Sequence, residues 1–186
     1  MLDVFFLSMG ETGSEENWQR LLEFAPNAKR VKDVVGIFNA HRACAIQSTT
    51  ENFWVVDADA IVVDDFKLDL LLPKYDRDAV YVWKSRNPIN SLEYGYGGVK
   101  LLPRKLTIDM QTDTTDMTTS ISKNFKPINS ISNITAFNTD EYSTWRSAFR
   151  ECVKLCYSIK RIARLNMCAR SHARQKKAIA RDGLAD

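Results

Sequence analysis

The sequence predicts an α/β protein with a long amphipathic helix toward the C-terminus. The main reason is that short apolar runs of strand length alternate with segments whose apolar residues recur at helical spacing. The chain has 186 residues, 45% of them hydrophobic and 26% charged, which is typical of a globular domain with its own core. No apolar run approaches the ~18 residues that a membrane span needs, so we expect a soluble, cytoplasmic protein.

The predicted elements follow one another as β-α units. The run DVFFL is predicted to be the first strand, followed by a helix with Ser14 as its N-cap and acidic residues in its first turn. VKDVVGIF leads into a helix over NAHRACAIQSTT, and FWVV forms the next strand. Further strands are predicted at AVYVW, GGVKLLP and INSISNITAF, with loops at KSRNPINSLEYGY and DMQTDTTDMTTS.

The last part of the chain is predicted to be helical and basic. From Asp140 to Asp182 there is neither Gly nor Pro, and apolar side chains recur every three or four residues, which indicates an amphipathic helix. Residues 146–186 carry 11 Lys and Arg against 3 Asp and Glu. We therefore divide the chain into a main domain, residues 1–155, and a basic helical tail, residues 156–186. The tail is either a solvated helix face or a contact surface for nucleic acid.

The four cysteines do not have the dense, even spacing of a secreted disulfide scaffold, so we expect a reducing compartment. Cys152, Cys156, Cys168 and His172 form the pattern C-x₃-C-x₁₁-C-x₃-H, which zinc would allow. Cys152 and Cys156 also fall on the apolar face of the predicted C-terminal helix, where cysteine usually acts as a small hydrophobic residue. The sequence leaves these two interpretations open.

Two aspartates, Asp57 and Asp59, follow the apolar run FWVV directly. The carboxyl end of a strand is where α/β sheets bind ligands. Alternate residues point the same way, so both carboxylates can approach one hard divalent cation, Mg²⁺ or Mn²⁺. The alternative interpretation is that one of them caps the turn that follows the strand.

An apolar strand ending in D-x-D, here VVDADAIV, resembles the metal and nucleotide-sugar signature of GT-A fold glycosyltransferases. Two longer stretches, YVWKSRNPINSLEYGYGGVKL and FNTDEYSTWRSAFRECVKL, resemble uncharacterised glycosyltransferase-like proteins of tailed bacteriophages. The resemblance covers residues 1–155, which it implies to be a GT-A-like catalytic domain. It implies a GT-A-like mixed sheet flanked by helices, and a metal-dependent enzyme that takes its sugar from a nucleotide-sugar donor. The resemblance to phage proteins also suggests a modified base in phage DNA as one candidate acceptor of the sugar.

The resemblance also implies roles for particular side chains. Asp57 and Asp59 would hold the metal, and Asp57 would also contact the donor. The other implied donor contacts are Asn39, His41, Arg42, Lys84 and Arg86; the implied sugar and acceptor contacts are Tyr94, Tyr96, Gly97, Gly98 and Arg146; the implied catalytic bases are Asp140 and Glu141. Ordinary alternatives exist, because Asp140 and Glu141 would also suit a helix N-terminus, and Lys84 and Arg86 would suit an exposed strand end.

Two other functions fit parts of the sequence. Phosphatases of the haloacid dehalogenase type also place D-x-D after an apolar strand, with the first aspartate attacking phosphate. They tend to carry the motif near the N-terminus, whereas here a β-α unit and more precedes it. A nucleic-acid-binding protein acting through the basic tail is the other alternative, and its binding would weaken steeply with salt. The donor sugar, the acceptor, the stereochemical outcome and the oligomeric state are not readable from the sequence.

Overall fold

The computed structural model describes residues 1–70, 76–88, 91–112, 116–135, 140–149 and 152–153, apart from the side chains of residues 94–96. The chain divides into two compact units, Met1–Ala136 and Phe137–Asp186. The first unit contains β1 (Asp3–Ser8), α1 (Ser14–Phe24), β2 (Lys29–Lys32), α2 (Ile37–Gln47), β3 (Asn52–Asp57), β4 (Ala60–Val62), β5 (Val80–Arg86), β6 (Glu93–Pro103), α3 (Arg104–Ile108), α4 (Met117–Ile121) and β7 (Phe125–Thr135). In the second unit, helix α5 covers residues 141–149.

The strands form one mixed sheet, which confirms the predicted α/β class. Within the described residues seven strands pair in the order β2-β1-β3-β6-β5-β7-β4. Strands β2, β1 and β3 are parallel, β6 is antiparallel to both β3 and β5, and β7 is parallel to β5. Strands β1, β2, β3, β5 and β7 therefore all end at the same end of the sheet, which we call the carboxyl end.

Helices cover both faces of the sheet, which explains why the strand FWVV is apolar throughout. Successive strand side chains point to opposite faces. Phe6, Trp54 and Val56 pack on one face with Leu21 of α1. Phe5, Phe53 and Val55 pack on the other face with Cys44 and Ala45 of α2. A strand buried on both faces has no position for a polar side chain before it reaches the sheet's end.

Helix α1 does not begin in the predicted way. Ser14 is its first residue and not its cap, because Gly13 occupies the N-cap position with a φ of 76° and no side chain caps the helix. The Ser14 N–H donates to Glu11 O at 3.1 Å, so a tight turn leads the chain into the helix. Glycine reaches this left-handed conformation without the steric cost that a Cβ would impose.

Both predicted loops contain regular structure. Part of KSRNPINSLEYGY extends strands β5 and β6, since Lys84, Ser85 and Arg86 pair with Gly95, Tyr94 and Glu93. Helix α4 interrupts the Thr-rich loop, where the Asp116 side chain caps it by accepting from the Thr119 N–H. Strand β4 and helix α3 were also missed, because three and five residues are too few to show a period.

The described part of the C-terminal segment agrees with a helix over residues 141–149 and 152–153. Residues 154–186, which include the rest of the predicted amphipathic helix, the basic tail, Cys156, Cys168 and His172, lie outside the described residues. In the described part of the chain, no helix is both long and apolar enough to cross a membrane.

A buried polar cluster joins strands β5 and β7 at the carboxyl end. Asn133 Oδ1 accepts from Ser85 Oγ at 3.1 Å and from Ser132 Oγ at 2.8 Å, and its Nδ2 donates to Thr135 Oγ1 at 2.6 Å. Gly98 of β6 lies against this amide, because a Cβ there would be 2.8 Å from Asn133 Nδ2. The cluster thus depends on the absence of a side chain at residue 98.

We expect Gly98→Ala to lower the free energy of unfolding by about 1–3 kcal/mol, because the added methyl group would displace the Asn133 amide. Urea unfolding of both variants measures this. The control is the same substitution in an Asn133→Ala background, where the closest contact of the methyl group is removed and only Ala60 Cβ, at 3.2 Å, remains near it. Equal destabilisation in the two backgrounds would contradict this account of Gly98.

Candidate functional site

The D-x-D turn, residues 57–60, is held from two sides at the carboxyl end of the sheet. The Ala58 N–H donates to Leu7 O of β1 at 2.9 Å, and Asn17 Nδ2 of α1 donates to Ala58 O at 2.9 Å. Ala58 and Ala60 are both only 1% exposed. The two alanines therefore anchor the turn, while Asp57, which is half-buried, and Asp59, which is exposed, keep access to solvent.

The strand after the turn is fixed by α1 and β7. Arg20 Nε donates to Val62 O at 2.6 Å, and its guanidinium also pairs with Asp64 at 2.6 Å. Ala60 pairs with Thr135 of β7. Because both flanks of the turn are bound to the sheet, the positions of its carboxylates are set by the fold.

A lysine that the sequence analysis did not select pairs with the first aspartate. Lys100 Nζ donates to both carboxylate oxygens of Asp57, at 2.7 Å each. The Lys100 side chain is 4% exposed and that of Asp57 is 34% exposed. In register, Lys100 lies opposite Val55 of β3 and Val82 of β5, so its aliphatic stem lies on the α2 face of the core. A buried ammonium needs such a partner, because desolvation without one would be costly.

The second aspartate has a different environment. Asp59 is exposed, but the surrounding protein desolvates its carboxyl in part, and the charges of Asp57 and Glu11 add to this effect. Together they raise the pKa of Asp59 from 3.8 to about 6, against the opposing charge of Lys100. The two carboxylates are therefore not equivalent, since one is paired and the other faces like charges.

Helix α2 covers the Asp57–Lys100 ion pair with neutral side chains. His41 is 1% exposed, and burial, followed by the charge of Lys100, lowers its pKa to about 3. The His41 Nδ1 lies 2.8 Å from Ile37 O, which suits a neutral ring donating from Nδ1, and Nε2 has no partner among the described residues. Burial raises the pKa of the Cys44 thiol to about 12. The two α2 side chains that sense the charge of Lys100 are therefore neutral themselves.

The other implied donor contacts have the following positions. Asn39 is exposed near the start of α2, where its Nδ2 donates to Val35 O at 3.2 Å. Arg42 donates to Ile108 O at 2.9 Å and to Met110 O at 3.0 Å, so its guanidinium binds the segment around the end of α3. Lys84 and Arg86 lie at the carboxyl end of β5, and Arg86 pairs with Glu93 at 3.1 Å. Their roles in donor binding stay predictions.

The glycine-rich start of β6 lies at the same end of the sheet as the D-x-D turn, because Val99 pairs with Val56. Gly97 has a φ of 79°, and a Cβ there would meet nothing within 4 Å. The space beside Gly98 is filled by Asn133 and Ala60. The side chains of Tyr94 and Tyr96, the other predicted sugar contacts, lie outside the described residues.

The predicted catalytic bases belong to the second unit. Asp140 caps helix α5, since its carboxylate accepts from the Ser143 N–H at 2.8 Å and from Ser143 Oγ at 2.7 Å. Glu141 and Arg146 are exposed. The capping alternative is therefore present in the structure, while the roles of Asp140, Glu141 and Arg146 toward an acceptor stay predictions.

The carboxylates fit a divalent cation only in part. Among the described residues, no group of three or more His, Cys, Asp and Glu side chains is placed to hold a metal ion. Both oxygens of Asp57 accept from Lys100, which leaves Asp59 as the carboxylate of the motif that is not in that ion pair. Mg²⁺ is commonly held by one or two carboxylates together with substrate phosphates, and one carboxylate suits that arrangement.

Two open cavities lie at the opposite end of the sheet. One of about 780 Å³ is lined by Leu2, Asn52 and Leu70, and one of about 550 Å³ by Thr49, Arg77 and Arg104, among others. We place the functional site at the carboxyl end instead, because the carboxylates of Asp57 and Asp59 and the buried Lys100 lie there.

Comparisons with known proteins give only distant structural similarity. No protein-family model and no curated protein sequence matches the chain. Similar solved structures include the bifunctional IspDF of Campylobacter jejuni (TM-score 0.46, 12% identity, covering 69% of this chain and 49% of that one). A second is a glycosyltransferase involved in glycosylation of the major capsid of PBCV-1 (TM-score 0.44, 12% identity, covering 80% of this chain and 99% of that one). A third is the apo-form glycosyltransferase GlyE of Streptococcus pneumoniae TIGR4 (TM-score 0.40, 15% identity, covering 69% of this chain and 45% of that one). The chain spans about half the length of the first and third structures. These similarities are too low to assign the chain to a family.

We expect Asp57→Asn to lower the free energy of unfolding by about 2 kcal/mol, because it removes the charge that compensates the buried Lys100 ammonium. Urea unfolding at neutral pH measures the change. Asp59→Asn is the matched control, and we expect it to be neutral or stabilising, since it removes a repulsive charge. Equal destabilisation by both substitutions would contradict the assigned pairing.

The raised pKa of Asp59 also predicts how the stability of the protein depends on pH. The pKa of Asp59 is higher in the folded chain than in the unfolded one, so ionisation of this group opposes folding. Wild type should therefore lose stability relative to Asp59→Asn as the pH rises from about 4 to about 6. Parallel stability curves for the two proteins across this window would contradict the raised pKa.

Proposed function

We propose that the chain is a glycosyltransferase that takes a sugar from a nucleotide-sugar donor bound at the carboxyl end of the sheet. The observation that carries the proposal is the fixed D-x-D turn, which presents two carboxylates where α/β sheets bind ligands. The sequence resemblance to GT-A fold glycosyltransferases supports the same conclusion.

The charge of the site is consistent with a donor that brings a cation with it. The negative charges of Asp57 and Glu11 act on the Asp59 carboxylate, and the ammonium of Lys100 opposes them. A free diphosphate would meet net negative charge there. Bound with the donor, Mg²⁺ or Mn²⁺ would neutralise the diphosphate and stabilise the charge that develops on the leaving group.

The proposed roles of the chain's own residues come from the sequence resemblance to GT-A fold glycosyltransferases. Asp59 faces the donor and the cation, and Asn39 near the start of α2 lies beside the nucleotide. The sequence resemblance assigns the base for the acceptor hydroxyl to Asp140 or Glu141 of the second unit, a role that typically supplies about 10²–10⁴-fold in rate. DNA containing modified bases is the first acceptor to test, in view of the resemblance to phage proteins.

Calorimetric titration with UDP and GDP, with and without Mn²⁺, tests the donor site. We expect saturable binding that requires the cation and falls at least about tenfold in Asp59→Asn, because a carboxylate ligand is lost. Asp65→Asn, which removes an exposed aspartate beyond β4, is the matched control and should bind as wild type does. If neither nucleotide binds under any metal condition, the proposed function is wrong.

A second candidate is a phosphatase that uses Asp57 as its nucleophile. The observation that favours it is the Lys100 ammonium on Asp57, since the two hydrogen bonds that it donates fix the orientation of the carboxylate. Hydrolysis of p-nitrophenyl phosphate that disappears in Asp57→Asn would support this function. Nucleotide-dependent cation binding without any hydrolysis would instead favour glycosyl transfer.

A further inference from the structure

The Asp57–Lys100 pair determines which carboxylate is open to a cation. Lys100 Nζ lies 2.7 Å from each oxygen of Asp57, so one ammonium engages the whole carboxylate. A divalent cation on the same carboxylate would have to displace this ammonium or lie next to it. Both alternatives are unfavourable, because the two cations repel each other and a displaced ammonium has little room in the core.

The fold keeps the ammonium in this position. Strands β3 and β5 lie on either side of Lys100, with Val55 and Val82 as its register partners. Its side chain is 4% exposed, and the side chains above it that sense its charge, His41 and Cys44, are buried and neutral. The lysine therefore cannot swing into solvent in the way that an exposed lysine can.

We propose that Lys100 is a positioning residue that keeps Asp57 in an ion pair and so away from the cation. The cation is then held by Asp59 and the donor's diphosphate, and it binds together with the nucleotide. This inference rests on the proposed function. It assigns the two aspartates different tasks: Asp57 anchors the buried ammonium and fixes the end of β3, while Asp59 is the protein's cation ligand. The metal-free protein should accordingly take up Mn²⁺ weakly until a nucleoside diphosphate is present.

Removing the ammonium should therefore create a cation site. In Lys100→Met the aliphatic stem is kept but the charge is lost, and Asp57 and Asp59 become two carboxylates at one turn. We expect the affinity of the nucleotide-free protein for Mn²⁺ to rise by at least about tenfold, as measured by the decrease of the free Mn²⁺ signal in electron paramagnetic resonance. Lys100→Arg keeps the charge and should bind Mn²⁺ as wild type does.

Two further proteins distinguish this effect from a change in folding. Lys100→Met combined with Asp57→Asn should lose the gained affinity, because the second carboxylate is gone. Lys100→Gln is the replacement if Lys100→Met does not give a folded protein by circular dichroism. If wild type already binds Mn²⁺ without nucleotide as tightly as the Lys100→Met protein, or if the gain persists in the double variant, the inference is overturned.

The outcome for Lys100 is separate from the outcome for the proposed function. A gain of Mn²⁺ affinity in Lys100→Met, with no nucleotide binding to any variant, would support the role of Lys100 and reject the donor site. Nucleotide-dependent Mn²⁺ binding in wild type, with no gain in Lys100→Met, would support the donor site and reject the role of Lys100.

Discussion

The contact on which the candidate site depends is the ion pair between Asp57 and the buried ammonium of Lys100. A lysine within a core strand is unfavourable unless its charge is compensated, and the compensating carboxylate lies at the last residue of β3. The pair therefore links the packing of the α2 face to the geometry of the D-x-D turn. A change in either partner would affect both the stability of the core and the charge presented to a ligand.

The mixed sheet brings the remaining parts of the site together. Because β5 and β7 run parallel to β3, their carboxyl ends reach the end of the sheet where the D-x-D turn lies. Antiparallel β6 begins at this end and supplies both the glycines and Lys100. The buried Asn133 cluster then ties β5 to β7 beneath the turn. Residues distant in sequence thus form a rigid surface around two carboxylates that differ in charge environment.

Much of the fold was predictable because its strands are buried on both faces, which produces continuous apolar runs such as FWVV and AVYVW. The elements that were missed are short, and their positions depend on pairing partners elsewhere in the chain, as for β4 on β7. The wrong N-cap at Ser14 arose because a serine before acidic residues suits a cap, whereas the backbone turn places Gly13 there.

The site was predictable only as far as residue type and position allow. Asp57 and Asp59 are marked by an abrupt change from apolar to acidic residues. Lys100 carried a weaker signal, as the one charged residue within the apolar strand segment GGVKLLP, but its partner could be identified only from strand register. The direction of the Arg42 side chain was likewise not readable from the sequence: its guanidinium donates to backbone carbonyls of the α3 segment, and its role in donor binding stays a prediction. Sequence spacing does not encode these side-chain directions.

The central claim, that a nucleotide-sugar binds around the D-x-D turn, is tested most directly by backbone amide chemical shifts. A ¹⁵N-labelled sample would be titrated with a nucleoside diphosphate and Mg²⁺, which avoids the line broadening caused by Mn²⁺. We expect the largest shifts at residues 57–60, 97–99 and the start of α2, with little change at the opposite end of the sheet. Shifts concentrated around Asn52, Arg77 and Arg104, or none at saturating nucleotide, would contradict the account.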